Sequence, residues 1–225
     1  MDLHDALRTT GAVRDFRPDP VPDEVLARVL DTARFAPSGG NRQAWWVVVV
    51  KDPAVRRGLR DLYLPGWYEY LAQRAAGLTP WAPVTDEAAE AAAVARASAI
   101  AAEQGADGFA EHFDRVPVLL ALMVDLRSVA AVDKGFDRYT LVAGASVYPF
   151  AWNLLLAARA EGLGGVITTM NVRREPEVKA LLDAPAYFAL AGVLALGWPV
   201  KQLTRLTRQP VAAITTIDRV TGPAF

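Results

Sequence analysis

Apolar residues fall in two rhythms along this chain. Val25, Leu26, Val29, Leu30 and Ala33 recur every three or four positions, the spacing of one helical face, and predict a helix over residues 23–35. Asp23 and Glu24 suit its positively polarised N-terminal end. Trp45-Trp46-Val47-Val48-Val49-Val50 then forms an unbroken run of β-formers, which predicts a central strand covered on both faces. Between the two, Ala36-Pro37-Ser38-Gly39-Gly40-Asn41 is dense in helix breakers and predicts a loop. The same reading gives a short helix over residues 2–8 and extended chain over 17–22, where Pro18, Pro20 and Pro22 recur. It gives further helices over residues 53–75, 87–104, 138–161 and 175–183, the third stopped by Gly162, Gly164 and Gly165. Strands are expected over residues 117–125, 166–169 and 188–196, with a late strand over 211–217. Mixed helices and strands, with no repeat and no long linker, place the fold in the α/β or α+β class.

Residues 139–158 carry no formal charge and are long enough for a membrane span. Thr140, Gly144, Ser146, Pro149 and Asn153 interrupt the stretch, and neither a second span nor a juxtamembrane basic cluster accompanies it. A helix apolar on nearly all sides reads instead as buried in a core or between subunits, which points towards an oligomer.

Composition narrows the chemistry. The 225 residues are 52% hydrophobic and 22% charged, a globular balance. Lys plus Arg number 24 against 25 for Asp plus Glu, so the basic excess of a nucleic-acid binder is missing. Cysteine is absent, which excludes thiol catalysis, disulfide scaffolds and Cys-ligated metal. The opening residues lack the apolar core of a signal peptide, and the expected compartment is the cytoplasm. No phosphate-binding GxxxxGK[ST] loop and no GxSxG elbow occurs. His4 and His112, the only histidines, have no metal-ligand spacing, so no metal site is expected. Gly162-Leu163-Gly164-Gly165 follows a helix and precedes a strand, the reverse of a dinucleotide fingerprint, and reads as a helix stop and turn.

Two constellations remain. Arg14-Asp15-Phe16-Arg17 and the loop Ala36-Pro37-Ser38-Gly39-Gly40-Asn41-Arg42-Gln43-Ala44-Trp45 combine glycines, which permit close backbone approach, with amide side chains suited to a heterocycle edge. Asn153-Leu154-Leu155-Leu156-Ala157-Ala158 leads into the glycine turn and then to Thr168 and Thr169. Pattern alone leaves the first open to an ordinary helix–strand connection and the second to core and strand residues.

Taken together with Pro20-Val21-Pro22 and Leu196-Gly197-Trp198-Pro199, these segments resemble the nitroreductase family of FMN-dependent oxidoreductases, over residues 7–50 and 144–210. The resemblance implies one α+β domain over residues 1–225. Its fold is a three-layer α/β/α sandwich with a mixed, mainly antiparallel sheet, built into a domain-swapped homodimer. Residues 51–136 would be a variable helical lid, and 198–225 a C-terminal arm reaching towards the partner subunit. It implies FMN at the subunit interface, with Pro37, Ser38, Gly39 and Asn41, and less directly Gln43, against the flavin ring. Arg14 falls at the ring's pyrimidine end, Thr168 and Thr169 near N5, and Arg205 or Arg208 on the phosphate. Thr10-Gly11-Ala12 stands where the family has two basic residues and a serine, which leaves Arg8, or a larger share on Arg205 and Arg208, to meet the phosphate charge. Ala44 replaces a proline, at a small cost in loop rigidity.

The chemistry implied is hydride transfer from NADH or NADPH to a small-molecule nitroaromatic, quinone or enone-like acceptor by a ping-pong route, with no catalytic side chain required. Arg14 would bias the reduced flavin through a charge-assisted bond of about 1.5–3 kcal/mol. Trp67, Tyr70, Trp81 and Phe113 are the candidate substrate-stacking residues of the lid, although each taken singly reads first as ordinary packing. Related chemistries on the same fold, such as dehydrogenation or dehalogenation, and a non-catalytic flavin-binding role are the alternatives.

Overall fold

A computed structural model describes residues 1–105 and 107–225, with Gln104 described by its backbone only. Seven α-helices and four strands are found among the described residues. In chain order they are α1 (Leu3–Thr9), α2 (Asp23–Ala33), β1 (Trp45–Val50), α3 (Pro53–Ala75), α4 (Glu87–Val94), α5 (Ala97–Gln104), β2 (Val118–Asp125), α6 (Tyr148–Ala160), β3 (Gly164–Thr168), α7 (Glu175–Leu181) and β4 (Phe188–Gly197).

The strands form one sheet in the order β1-β2-β4-β3. All three pairings are antiparallel, so the mixed sheet expected from the resemblance is corrected. Parallel pairing is confined to an isolated bridge between Ala12 and Gly165. The centre is β2, and side-chain alternation explains how one apolar run serves two cores. Leu120 and Leu122 face α2 and α6, where Leu26, Val29 and Leu154 complete a core. Leu119, Ala121 and Met123 face α3 and α7, where Leu59, Tyr63 and Val178 complete another. Helices therefore cover both faces of the sheet.

The strand expected to be central is an edge. β1 pairs only with β2, and Trp46 is 63% exposed. A run of β-formers predicts a strand but does not count its neighbours; among the described residues of one chain, β1 has no strand paired on its outer side. Trp45, on the opposite face, stacks on Phe150 of α6 with centroids 4.8 Å apart.

The helix expected over residues 138–161 begins only at Tyr148, after a 3-10 turn over Val142–Ser146. Asp133 accounts for the difference. Its buried carboxylate accepts the backbone N–H groups of Leu141 (2.7 Å) and Val142 (3.3 Å) and a bond from Arg138 (2.8 Å). Those amides are satisfied by a side chain, and the chain needs no helix there. Pro149 then sits in the first turn of α6, where its missing N–H costs nothing. The shortened helix is one reason that no helix among the described residues is long and apolar enough to cross a membrane.

The expected helix over residues 87–104 is two, α4 and α5; nothing in the structure explains the break. The late strand expected over 211–217 is a 3-10 turn at Val211–Ala213 and a single bridge from Thr216 to Ala224. Thr215 and Thr216 donate their hydroxyls to backbone carbonyls of Val211 and Arg219, a local competition that takes the segment out of a ladder. β3 starts at Gly164, earlier than expected. A Cβ on Gly165 would lie 2.4 Å from Leu196 and one on Gly164 2.9 Å from Val13, so both glycines are strand residues chosen for close approach.

Candidate functional site

The N-terminal segment reaches the sheet at β3. Val13 N–H donates to Gly165 O at 2.9 Å, Arg17 N–H to Trp198 O at 2.8 Å, and Val200 N–H to Asp15 O at 3.1 Å. Arg14 is thus held between the start of β3 and the end of β4. Its guanidinium enters no ion pair among the described residues, and it is exposed. Gly11 carries the C-terminal arm: a Cβ there would meet Leu203 at 2.6 Å and Leu206 at 2.8 Å. The arm therefore occupies the volume that a side chain at position 11 would need. Arg205 projects exposed from that arm, while Arg208 donates to the Thr207 carbonyl at 2.8 Å.

Three buried polar atoms belong to segments that meet at Gly11. Thr10 Oγ1 is its neighbour, Gln202 Oε1 precedes Leu203, and Arg159 Nε belongs to a side chain that reaches Thr9 Oγ1 at 3.4 Å; none has a hydrogen-bond partner. Unpaired buried polar groups each cost about 1–3 kcal/mol, and the three belong to segments next to Gly11 and to the arm that packs on it.

At the other end of β3, Thr168 donates its hydroxyl to Tyr63 Oη at 3.2 Å. Burial pushes the Tyr63 phenol up from its ordinary pKa, against the pull of the Thr168 bond and of the nearby Arg14 charge. Thr169 is exposed beside it. Tyr63 also opens an aromatic ladder along α3: it stacks on Trp67 at 6.3 Å, Trp67 on Tyr70 at 5.4 Å, and Tyr70 lies 6.4 Å from Trp81. Trp67, Tyr70 and Trp81 are partly exposed, as a stacking surface must be. Phe113 is not: at 0% exposure it is stacked on Tyr63 at 4.6 Å inside the core, so its expected place against a substrate is corrected. Tyr63 was missed in sequence. The signal was there in the helical spacing of Tyr63, Trp67 and Tyr70, which puts all three on one face.

Pro37, Ser38, Gly39, Asn41 and Gln43 lie elsewhere, in the loop that feeds β1. Gly39 N–H donates to Ser146 Oγ, and Gln43 N–H to Ser38 Oγ, both at 3.0 Å. Gln43 Nε2 donates to Asn41 Oδ1 at 3.1 Å. Asn41 and Gln43 both hold left-handed backbone, at φ 51° and 50°. Such strain is uncommon outside glycine and is kept where surroundings or function demand it. The bonds fix the loop, with one amide atom of each of Asn41 and Gln43 spent on the other, and both residues remain exposed.

The expected site residues therefore form two groups. β1 and β3 are opposite edges of the sheet, about 14 Å apart at the usual strand spacing. No hydrogen bond or ion pair joins the groups within one chain among the described residues.

The chain is similar to several known proteins. The chain is 32% identical over 191 residues to the 5,6-dimethylbenzimidazole synthase of Rhodospirillum rubrum, spanning 83% of this chain and 77% of that protein. It is 29% identical over 203 residues to an NADH dehydrogenase of Thermus thermophilus, spanning 90% and 89%. A crystal structure of oxidised iodotyrosine deiodinase bound to FMN and 3-iodo-L-tyrosine superposes with a TM-score of 0.62 at 22% identity, over 93% of this chain and 96% of the other, and shares its fold. The model of the nitroreductase family matches residues 7–198, and the chain belongs to that family.

Proposed function

We propose that the protein is an FMN-dependent oxidoreductase that works in the cytoplasm as a homodimer, with each site assembled from two chains. Hydride passes from NADH or NADPH to a nitroaromatic, quinone or enone-like acceptor. The observation that carries the reading is the division of the site residues between opposite sheet edges, each group with polar capacity left unused. A second copy brings the Ser38–Gln43 loop of one chain to the Arg14–Thr169 side of the other.

Two features favour that partner. The outer side of β1 is an unpaired edge of strong β-formers, which folded proteins normally cover. The C-terminal arm ends in apolar residues with little cover of their own, Phe225 at 81% exposure among them. An arm exchanged between copies covers both.

The residues present fit a planar anionic cofactor. Arg14 offers an uncommitted guanidinium to the electron-rich end of a ring, and Asn41 and Gln43 offer amide edges. Thr10, Arg159 and Gln202 offer unpaired buried polar atoms near the arm, where Arg205 adds charge beside the Leu203 and Leu206 contacts to Gly11. Bound there, FMN supplies hydride acceptance and donation. The chain's own work is to hold the ring, to favour its reduced anionic form through Arg14, and to present Trp67, Tyr70 and Trp81 to a flat acceptor. Thr168 is committed to Tyr63 and acts by fixing that wall.

The test is a spectrum. Purified protein should be yellow and bleach when NADH or NADPH is added without oxygen. Protein that is colourless and cannot be reconstituted with FMN overturns the reading. Arg14→Ala should weaken FMN binding about tenfold or slow reduction, and unchanged values remove Arg14 from the site. A second reading keeps the cofactor and changes the acceptor. The 32% identity to a 5,6-dimethylbenzimidazole synthase favours it, and product masses from a substrate screen under oxygen separate the two.

A further inference from the structure

Gln73 has no exposed surface, although Arg74 and Ala75, which follow it at the end of α3, are exposed. Its side-chain oxygen accepts the backbone N–H of Trp81 at 2.9 Å, and its backbone carbonyl accepts Leu78 N–H at 3.0 Å. Both bonds reach into the loop that leaves the helix. We propose, resting on the oxidoreductase reading for the acceptor itself, that Gln73 is a positioning residue for acceptor binding, which acts by setting Trp81 at the remote end of the aromatic ladder.

Trp81 needs holding. Its φ is 51°, in the left-handed region where a bulky side chain is an outlier. Ala82 N–H donates to Thr79 O at 3.2 Å, which closes a turn with Pro80 second and Trp81 third. Proline followed by a left-handed residue is the pattern of a type II turn, whose third place ordinarily goes to glycine. A tryptophan persists there only where its surroundings over-determine it. Three contacts do so. Gln73 takes the backbone N–H, the ring lies 6.4 Å from Tyr70, and the Arg173 guanidinium covers the ring at 5.2 Å. Arg173 is placed in turn by Glu69, one helical turn before Gln73, with Nε 3.5 Å from Oε2. Gly66 lets that segment close on α3: a Cβ there would lie 2.9 Å from Met170 O and 3.3 Å from the Arg173 side chain.

Packing alone does not call for a carboxamide at this position. Gln73 Nε2 has no hydrogen-bond partner among the described residues, so an apolar side chain of the same length would be buried at lower cost. What glutamine adds is the oxygen that holds Trp81. The ladder runs from Tyr63, which holds the Thr168 hydroxyl, through Trp67 and Tyr70 to Trp81. Trp81 is therefore remote from the redox end and bears on the part of an acceptor that lies beyond the reacting ring. It favours acceptors that carry a second ring, and a one-ring acceptor gains nothing from it.

Gln73→Met removes the accepting oxygen at nearly constant volume. Steady-state kinetics with whichever nicotinamide bleaches the protein should show the KM for phenyl-1,4-benzoquinone raised about threefold to tenfold, with kcat and the KM for 1,4-benzoquinone unchanged. Trp81→Gly, which relieves the turn, should raise the same KM, and Gln73→Met added to it should raise it no further. The near-UV circular dichroism band that Trp81→Gly removes should also be lost in Gln73→Met. A two-ring KM that stays put, equal rises for both quinones, additive effects of the two substitutions, or an intact Trp81 band in Gln73→Met overturns the proposal. Should Gln73→Met fail to fold, hydrogen exchange in the wild-type protein decides. The Trp81 amide should be protected although it lies in a loop, and free exchange overturns the proposal. Colourless protein with a protected Trp81 amide loses the flavin reading and the acceptor with it, whereas yellow, reducible protein with an unsplit KM loses only the role of Gln73.

Discussion

Phe113 and Trp67 look alike in sequence, each an aromatic residue in an irregular helical region, and the structure gives them different work. Phe113 has no exposed surface and stacks on Tyr63, in the 3-10 turn that precedes β2. Trp67 touches the same tyrosine from the side that solvent reaches. Truncating a buried phenylalanine leaves a cavity as well as losing its transfer energy, so Phe113→Ala should cost about 3–5 kcal/mol in denaturant unfolding. Trp67→Ala should spare most of that stability. It should instead raise the KM for a flat aromatic acceptor about threefold to tenfold, the loss of one stacking contact. A Trp67→Ala enzyme with unchanged KM and large destabilisation would move Trp67 into the core beside Phe113. Residue type alone could not separate these roles, because both environments are apolar; only the position on α3 and the packing of the 113–116 turn decide them.

At the scale of elements, the legible features were those set by backbone periodicity. The unbroken apolar run of β2 and the 3.6-residue spacing of α2 each demand one arrangement, and the structure has it. The start of α6 was not legible, because it depends on a carboxylate several residues upstream whose partners are backbone amides. The same bond supplies a prediction. Asp133 lies below the ordinary carboxylate range, first because Leu141 N–H bonds it, with the Arg138 and Val142 bonds adding to that and burial opposing. A carboxylate lowered in the folded state contributes its full stability above its unfolded pKa of about 4, and loses it as pH falls through the lowered value. The amides of Leu141 and Val142 should therefore be protected from hydrogen exchange near neutral pH and lose protection in strong acid. Asp133→Asn should remove most of that protection at neutral pH, with the gap between the two proteins closing as acid is added. Equal protection at neutral pH would mean that the turn is held by packing alone.

The candidate site was legible as a set of residues but not as a place, since its two groups sit on opposite edges of one sheet and sequence order says nothing about which chain completes which edge. That question belongs to the whole molecule and has a direct genetic answer. In a symmetric dimer with sites at the interface, each site takes one group from each subunit. An Arg14→Ala homodimer lacks the arginine in both sites, and an Asn41→Ala homodimer lacks the loop amide in both. In a mixed dimer the two lesions meet in one site, and the other is wholly unaltered. Coexpression of the two variants under distinct tags, with isolation of dimers that carry both, should thus recover about half the wild-type turnover, while random mixing should give about a quarter. Each variant alone should fall well below either value. If the residues instead serve one chain, every site in the mixed dimer carries a lesion, and its activity stays at the average of the two variants. Recovery of flavin fluorescence quenching in the mixed dimer gives the same answer without turnover, so a poor choice of acceptor does not obscure the result.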